Sequence, residues 1–250
     1  MSPLSTNSLF HFTPSLQNLL GILENTFIPS YCYEDVSLLD PEEDSVNLAV
    51  PMVCFCDIPL SQIAGHMDTY GKYGIGMTKD WGAIKRLDPV IYIAKDSLVA
   101  QQFNILTNNL LFNVDEHGKG LRDILRRIKP YEGQLYRGGL PVSQKVRFYD
   151  EHEWRYVPDF QLMQRYNIEP FERVFNPEEV GGINALNRLH RSEFRLNFCP
   201  GDIRYLIVKD DAEISIIVDE VRKIKAQYNS HDVDVLTSRI ITIDQILDDF

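Results

Sequence analysis

The sequence is short of the residues on which several function classes depend. Four cysteines in 250 residues, at 32, 54, 56 and 199, are too few and too unevenly spaced for a disulfide framework. Cys54-x-Cys56 is followed by no second Cys/His pair at ligand spacing, and His66, His117, His152, His190 and His231 are scattered, so reduced thiols and no metal are expected. No apolar run reaches about 18 residues, the length a membrane helix needs. Met1–Asn7 holds no basic residue ahead of an apolar segment, so no secretory leader is expected, and the cytoplasm is the expected compartment. Positive charge is scarce too: 25 Lys and Arg face 36 Asp and Glu, a net −11 that argues against general nucleic-acid binding. Gly-x-Gly-x-x-Gly, Walker and Gly-x-Ser-x-Gly sequences are absent, which removes Rossmann, P-loop and α/β-hydrolase readings as first choices.

With 44% hydrophobic and 24% charged residues, the chain has the composition of a soluble protein with ample length to bury a core. Residues 8–13 read as a strand, and Thr13-Pro14-Ser15 opens a helix whose Leu16, Leu19, Leu20 and Leu23 share a face. Tyr31–Ser45, polar and interrupted by Pro41, reads as a loop. A strand is expected over 51–56, a helix over 60–67 after Pro59, strands over 75–78 and 89–93, and a helix over 96–113. That helix is expected to end at a turn, Glu116–Gly120, and to be followed by a second helix over 121–129. Phe148–Pro158 and Arg204–Val208 read as strands, Asp210 opens a helix to about Tyr228, and 239–243 is a last strand. With no repeat and no linker, one α+β domain over 1–250 is the economical expectation.

Three motifs carry candidate chemistry: Phe10-His11-Phe12-Thr13 at a strand end, Val53-Cys54-Phe55-Cys56-Asp57 running to Ser61, and Glu151-His152-Glu153-Trp154-Arg155. Their order resembles that of the ADP-ribosyltransferases. Phe12 replaces the small residue of that family's first motif, and Cys54 stands where its stacking tyrosine would be. A second resemblance rests on Phe-His-Phe-Thr, Pro-Met-Val-Cys-Phe-Cys-Asp-Ile-Pro-Leu, Tyr-Gly-x-Tyr-Gly-Ile-Gly and Glu-Trp-Arg-Tyr-Val-Pro, which together span residues 9–158. On these the chain is similar to the AbiGi family of abortive phage-infection proteins, whose label carries the word antitoxin.

The first resemblance implies an ADP-ribosyltransferase-like split antiparallel β-sandwich with flanking helices, and NAD as ADP-ribose donor. Cleaving NAD develops an oxocarbenium-like cation, which a fixed carboxylate beside the ribose stabilises. Glu153 is the candidate for that role and Glu151, two residues upstream, for orienting or deprotonating the acceptor. By the same resemblance His11 would bond the adenosine ribose, Thr13 would steady the nicotinamide, Ser61 would contact its amide, and Phe55, Tyr70 or Tyr73 would stack on its ring. Ser61 and Asp57 read equally well as helix caps, and Arg155 and Trp154 as a structural pairing residue and a core residue. The resulting expectation is an NAD-dependent toxin of an anti-phage system, restrained by an antitoxin protein. Its acceptor would be a nucleic acid, RNA or DNA, approached by the basic segment from Lys119 to Arg155. The rivals are a non-catalytic antitoxin that binds and neutralises a partner toxin, and an NAD glycohydrolase.

Overall fold

The computed structural model describes residues 5–36, 47–110, 115–137, 140–141 and 145–249. The chain divides into two compact units that alternate along the sequence: residues 1–28, 54–87 and 195–250 form one, and residues 29–53 and 88–194 the other. Helices and strands are mixed throughout, as the α+β reading expects.

In the first unit the strand Ser8–Thr13 lies antiparallel to Tyr73–Thr78, with Phe10 opposite Gly76 and Phe12 opposite Gly74. The two glycines are spacing devices, because the phenylalanine rings lie across them. A Cβ at Gly76 would stand 2.8 Å from Phe10 Cε1, and one at Gly74 3.0 Å from Phe12 Cε1. Tyr73–Thr78 pairs on its other edge with Ile203–Val208, which in turn pairs in parallel with Ile240–Thr242. Ser15 accepts a hydrogen bond from the backbone N–H of Asn18 and so caps the helix Leu16–Asn25, which buries Leu19 and Leu23. Phe10, Phe12, Ile63, Met67, Ile207 and Ile246 belong to one buried cluster. Each such side chain contributes about 1.5–3 kcal/mol by leaving water.

The second unit is built on Asn47–Val53, the first seven residues of the strand Asn47–Cys56. Ser30–Asp35 pairs with it antiparallel, Tyr31 opposite Pro51, and Glu172–Val174 pairs with Asn47–Ala49. Ile91–Ile93 runs parallel to Ile128–Pro130, and Trp154 and Arg155 pair with Pro89 and Asp88. Tyr31, Ala49, Met163, Val174, Leu189 and Phe194 belong to one buried cluster within it.

Several expectations are corrected. Residues 31–35 are strand, not loop, because long-range pairing with 47–51 outweighs their polar composition; residues 37–45 of that expected loop lie outside the described residues, as do 111–113 of the helix expected over 96–113. Glu116–Leu125 is helix where a turn was expected over 116–120: the Asp115 side chain accepts from Gly118 N–H, and the glycines sit inside the helix. The strand expected over 148–158 is shorter. A 3₁₀ turn occupies Phe148–Glu151, His152 turns left-handed at φ 42°, and the strand is Glu153–Tyr156. The helix expected over 60–67 is a 3₁₀ turn at Leu60–Gln62 followed by Ala64–Tyr70. That expected over 210–228 is Ile214–Ile224, with a further helix at Ser230–Thr237.

Candidate functional site

The predicted site residues fall in both units: His11, Thr13, Phe55, Ser61, Tyr70 and Tyr73 in the first, Glu151 and Glu153 in the second.

In the first unit, strand pairing carries His11 beside the end of Asn47–Cys56, where its Nδ1 lies 2.8 Å from the Cys54 carbonyl. Since a carbonyl only accepts, Nδ1 carries the proton and donates. The ring is half-buried against Phe27 at 5.3 Å and Phe55 at 5.7 Å between centroids. Burial lowers the His11 pKa, and the bond to the Cys54 carbonyl opposes that only in part. Phe55, 2% exposed, also packs on Phe27 and Trp81, so both its neighbours and its burial are those of a core ring. Thr13 is buried in register with Tyr73. Tyr70 rests against the His66 ring at 4.4 Å. Tyr73 donates its hydroxyl to Glu213 at 2.8 Å, and burial together with that carboxylate pushes its pKa up to about 12. Ser61, at the exposed 3₁₀ turn, lines a cleft in which none of these groups takes part.

In the second unit the carboxylates meet two cations. Glu153 is 5% exposed. Its Oε1 accepts from Arg155 Nε at 2.6 Å, and its Oε2 from Lys129 Nζ at 2.8 Å and Arg155 Nη2 at 3.2 Å. Lys129 also donates to Glu151 at 2.7 Å, and Arg155 Nη2 to Glu34 at 2.9 Å. Burial alone would raise the Glu153 pKa. Attraction to Arg155 and Lys129, and their hydrogen bonds, outweigh it and hold the carboxyl well below the usual range. Glu34 shows the opposite balance, its burial outweighing Arg155 and Lys129 so that its pKa is raised. Glu153 also donates its backbone N–H to Tyr92 Oη at 2.8 Å.

Glu151 and Glu153 both accept from Lys129, brought together by the turn at His152 rather than along one strand. Arg155 is the pairing residue it was read as, and its partner is the candidate carboxylate itself; Trp154 is half-buried. Lys129 and Glu34 were not singled out, and no local pattern marks them, since Glu34 reaches Arg155 across 121 positions.

Among the described side chains of the basic segment Lys145 and Arg147 are exposed, and the others are buried, paired or laid over a ring. Arg126 and Arg155 are fully buried, Lys129 is tied to Glu151 and Glu153, Arg127 to Asp88, and Lys119 to Glu116. Arg122 lies over the Phe160 ring. Among the described residues no group of His, Cys, Asp and Glu is arranged to hold a metal, and no helix is long and apolar enough to cross a membrane.

No solved structure matches the chain. An abortive phage resistance protein AbiGi from Lactococcus lactis subsp. cremoris is 28% identical over 250 residues, covering 90% of this chain and 99% of its own length. A family profile described as "Putative abortive phage resistance protein AbiGi, antitoxin" matches residues 25–209. With well over half of its length inside that match, the chain belongs to the AbiGi family of abortive phage resistance proteins.

Proposed function

We propose that this protein is the antitoxin of an abortive phage-resistance pair, binding a partner toxin and neutralising it, with Glu153 serving the fold rather than NAD cleavage. The state of Glu153 carries this reading. A carboxylate that stabilises an oxocarbenium ion must face the substrate. Here both of its oxygens are taken by Arg155 and Lys129 in a buried cluster. Phe55, one of the candidate stacking rings, is likewise buried among other aromatics. The antitoxin description of the family points the same way.

A neutralising protein needs a docking surface, and helix Leu98–Leu110 supplies the best candidate. Its sequence LVAQQFNILTNNL holds no charged residue. Ala100 and Thr107 face inward, while Leu98, Val99, Ile105 and Leu106 are exposed, two pairs set two turns apart on one face. Four exposed aliphatics on one uncharged helix exceed what scattered surface apolarity explains. The occupant we assign is an apolar surface of the partner toxin.

Expression of the chain alone and together with the toxin of its own resistance system tests both points. Alone it should leave growth unchanged, and together it should restore growth. Ile105→Asp should abolish rescue while the far-ultraviolet spectrum stays the same. Incubation with labelled NAD, with and without RNA or DNA, should release no nicotinamide. Growth arrest by the chain alone that Glu153→Gln relieves would overturn the antitoxin reading: label passing to nucleic acid would establish the transferase, and free ADP-ribose the glycohydrolase.

A further inference from the structure

A cleft of about 610 Å³ opens on the first unit, within the range of small-molecule sites, and no function has so far been given to it. Of the predicted site residues only Ser61 lines it. Among the described residues no carboxylate lines it either, although the chain holds 36 Asp and Glu, whereas Lys79 and Arg204 both do. Lys79 is paired with Asp57 just behind the wall, so in a protein of net charge −11 the cleft presents one cation, Arg204, that no carboxylate meets among the described residues.

The walls are held in place from behind. Asp57 accepts from the backbone N–H of Thr6 at 2.7 Å and from Ser5 Oγ at 2.8 Å, which fixes the start of the Ser8–Thr13 strand. Lys79 Nζ donates to Asp57 at 2.7 Å and to Ser5 at 2.6 Å. Its charge is thus largely met, and Arg204 is the cation left for a ligand.

Arg204 stands at an irregularity in the sheet. Ile203 pairs with Met77 and Tyr205 with Gly76, so Arg204 has no opposite number on Tyr73–Thr78. Such bulges re-aim a side chain. Arg204 is exposed and makes no ion pair among the described residues. Beside it, the half-buried Tyr205 ring stacks on Phe10 at 5.9 Å between centroids, with an interplanar angle of 28°. That stack depends on Gly76, where a Cβ would stand 2.8 Å from Phe10 Cε1 and 3.2 Å from Tyr205 Cβ. Ser61, exposed on the facing turn, adds a hydroxyl.

We infer that this cleft binds a small phosphorylated ligand with a planar ring, of the nucleoside monophosphate class. Arg204 presents a planar fork to the phosphate oxygens, Ser61 adds a hydrogen bond, and the ring lies on Tyr205, backed by Phe10. An antitoxin and an enzyme alike can carry such a site, so the inference is independent of the proposed function.

Calorimetric titration of the full chain at low ionic strength tests it, using AMP, adenosine and inorganic phosphate as probes. AMP should bind, and adenosine and phosphate should each bind at least about 10-fold more weakly, because each offers half of the recognition. Arg204→Ala should weaken AMP by about 10- to 100-fold, the worth of a charged hydrogen bond, and leave adenosine unchanged. Arg204→Lys should recover part of the loss. Arg204 is exposed, so neither variant disturbs the core. Absence of saturable heat at millimolar AMP, or equal AMP affinity in wild type and Arg204→Ala, would overturn the site. Phosphate binding as tightly as AMP would overturn the part played by the ring.

Discussion

Replacing Arg155 by Met asks how much the buried ionic cluster holds. The guanidinium bonds Glu153 through Nε and Nη2, Glu34 through Nη2, and the carbonyls of Arg126 and Ile128 through Nη1 at 3.3 and 3.5 Å. It is 0% exposed, so water cannot replace it. Removing one partner of a buried pair costs about 3–5 kcal/mol, since the remaining charge stays desolvated. Lys129 continues to serve Glu153, which places the expected loss toward the lower end, about 3 kcal/mol. For a chain of this size each kcal/mol moves the melting temperature by roughly 2–4 °C, so Tm should fall by roughly 6–12 °C. Guanidinium unfolding at pH 7, followed by circular dichroism, measures the free energy directly. Adding Glu34→Gln to Arg155→Met should recover about 1 kcal/mol or more, because an amide needs no counter-charge. A loss below about 1 kcal/mol for Arg155→Met, or strict additivity in the double variant, would refute the picture of a desolvated, mutually dependent cluster.

Three further outcomes follow from the same geometry. Glu34 has a raised folded pKa, so its contribution to stability is greatest in acid and is given up as pH rises above about 4.3 through that raised value. Stability of Glu34→Gln relative to wild type should therefore improve from pH 4 to pH 8 in urea titrations, and a constant difference contradicts it. The lowered pKa of His11 works in the other direction. The unfolded chain takes up the proton first, so stability should fall as pH drops below about 6.5 toward the folded value, and His11→Asn should flatten that slope between pH 7 and pH 5. Gly71 has φ 119°, and a Cβ there would stand 2.3 Å from the Thr13 carbonyl oxygen. Gly71→Ala should cost about 3 kcal/mol, and a loss under about 1 kcal/mol would show that this turn yields.

The strands Ser8–Thr13, Tyr73–Thr78 and Ile203–Val208 were legible in outline because their apolar runs are short and bounded by turn residues. What local patterns miss is set by distant partners. Tyr31–Asp35 looks like loop by composition and becomes strand only beside Asn47–Pro51. Gly118 and Gly120 look like breakers, yet sit in a helix whose Asp115 cap and buried Leu121 and Leu125 outweigh their propensity. The candidate carboxylate was picked out through the resemblance of its motif, and its burial was not foreseen. Nor was its occupancy, because Lys129 precedes it by 24 positions and reaches it from a strand of another sheet, and Arg155, visible two residues on, gives no sign from sequence of which carboxylate it serves. Ser61 was read as a contact for a different ligand. The bulge at Arg204 leaves no trace in periodicity, since one unpaired residue alters register only once the partner strand is known.

The alternation of the two units along the chain has a consequence during synthesis. Ile203–Val208, which covers one edge of Tyr73–Thr78, emerges from the ribosome some 125 residues after that edge does. Until then the growing chain presents an unpaired strand flanked by apolar side chains, a state prone to association. A message cut short before Ile203 thus encodes every residue of the second unit, yet yields a product with a bare strand edge that chaperones and proteases must handle. New functional protein is then made only by complete translation, since Ile203–Val208 closes an edge laid down in the first third of the chain.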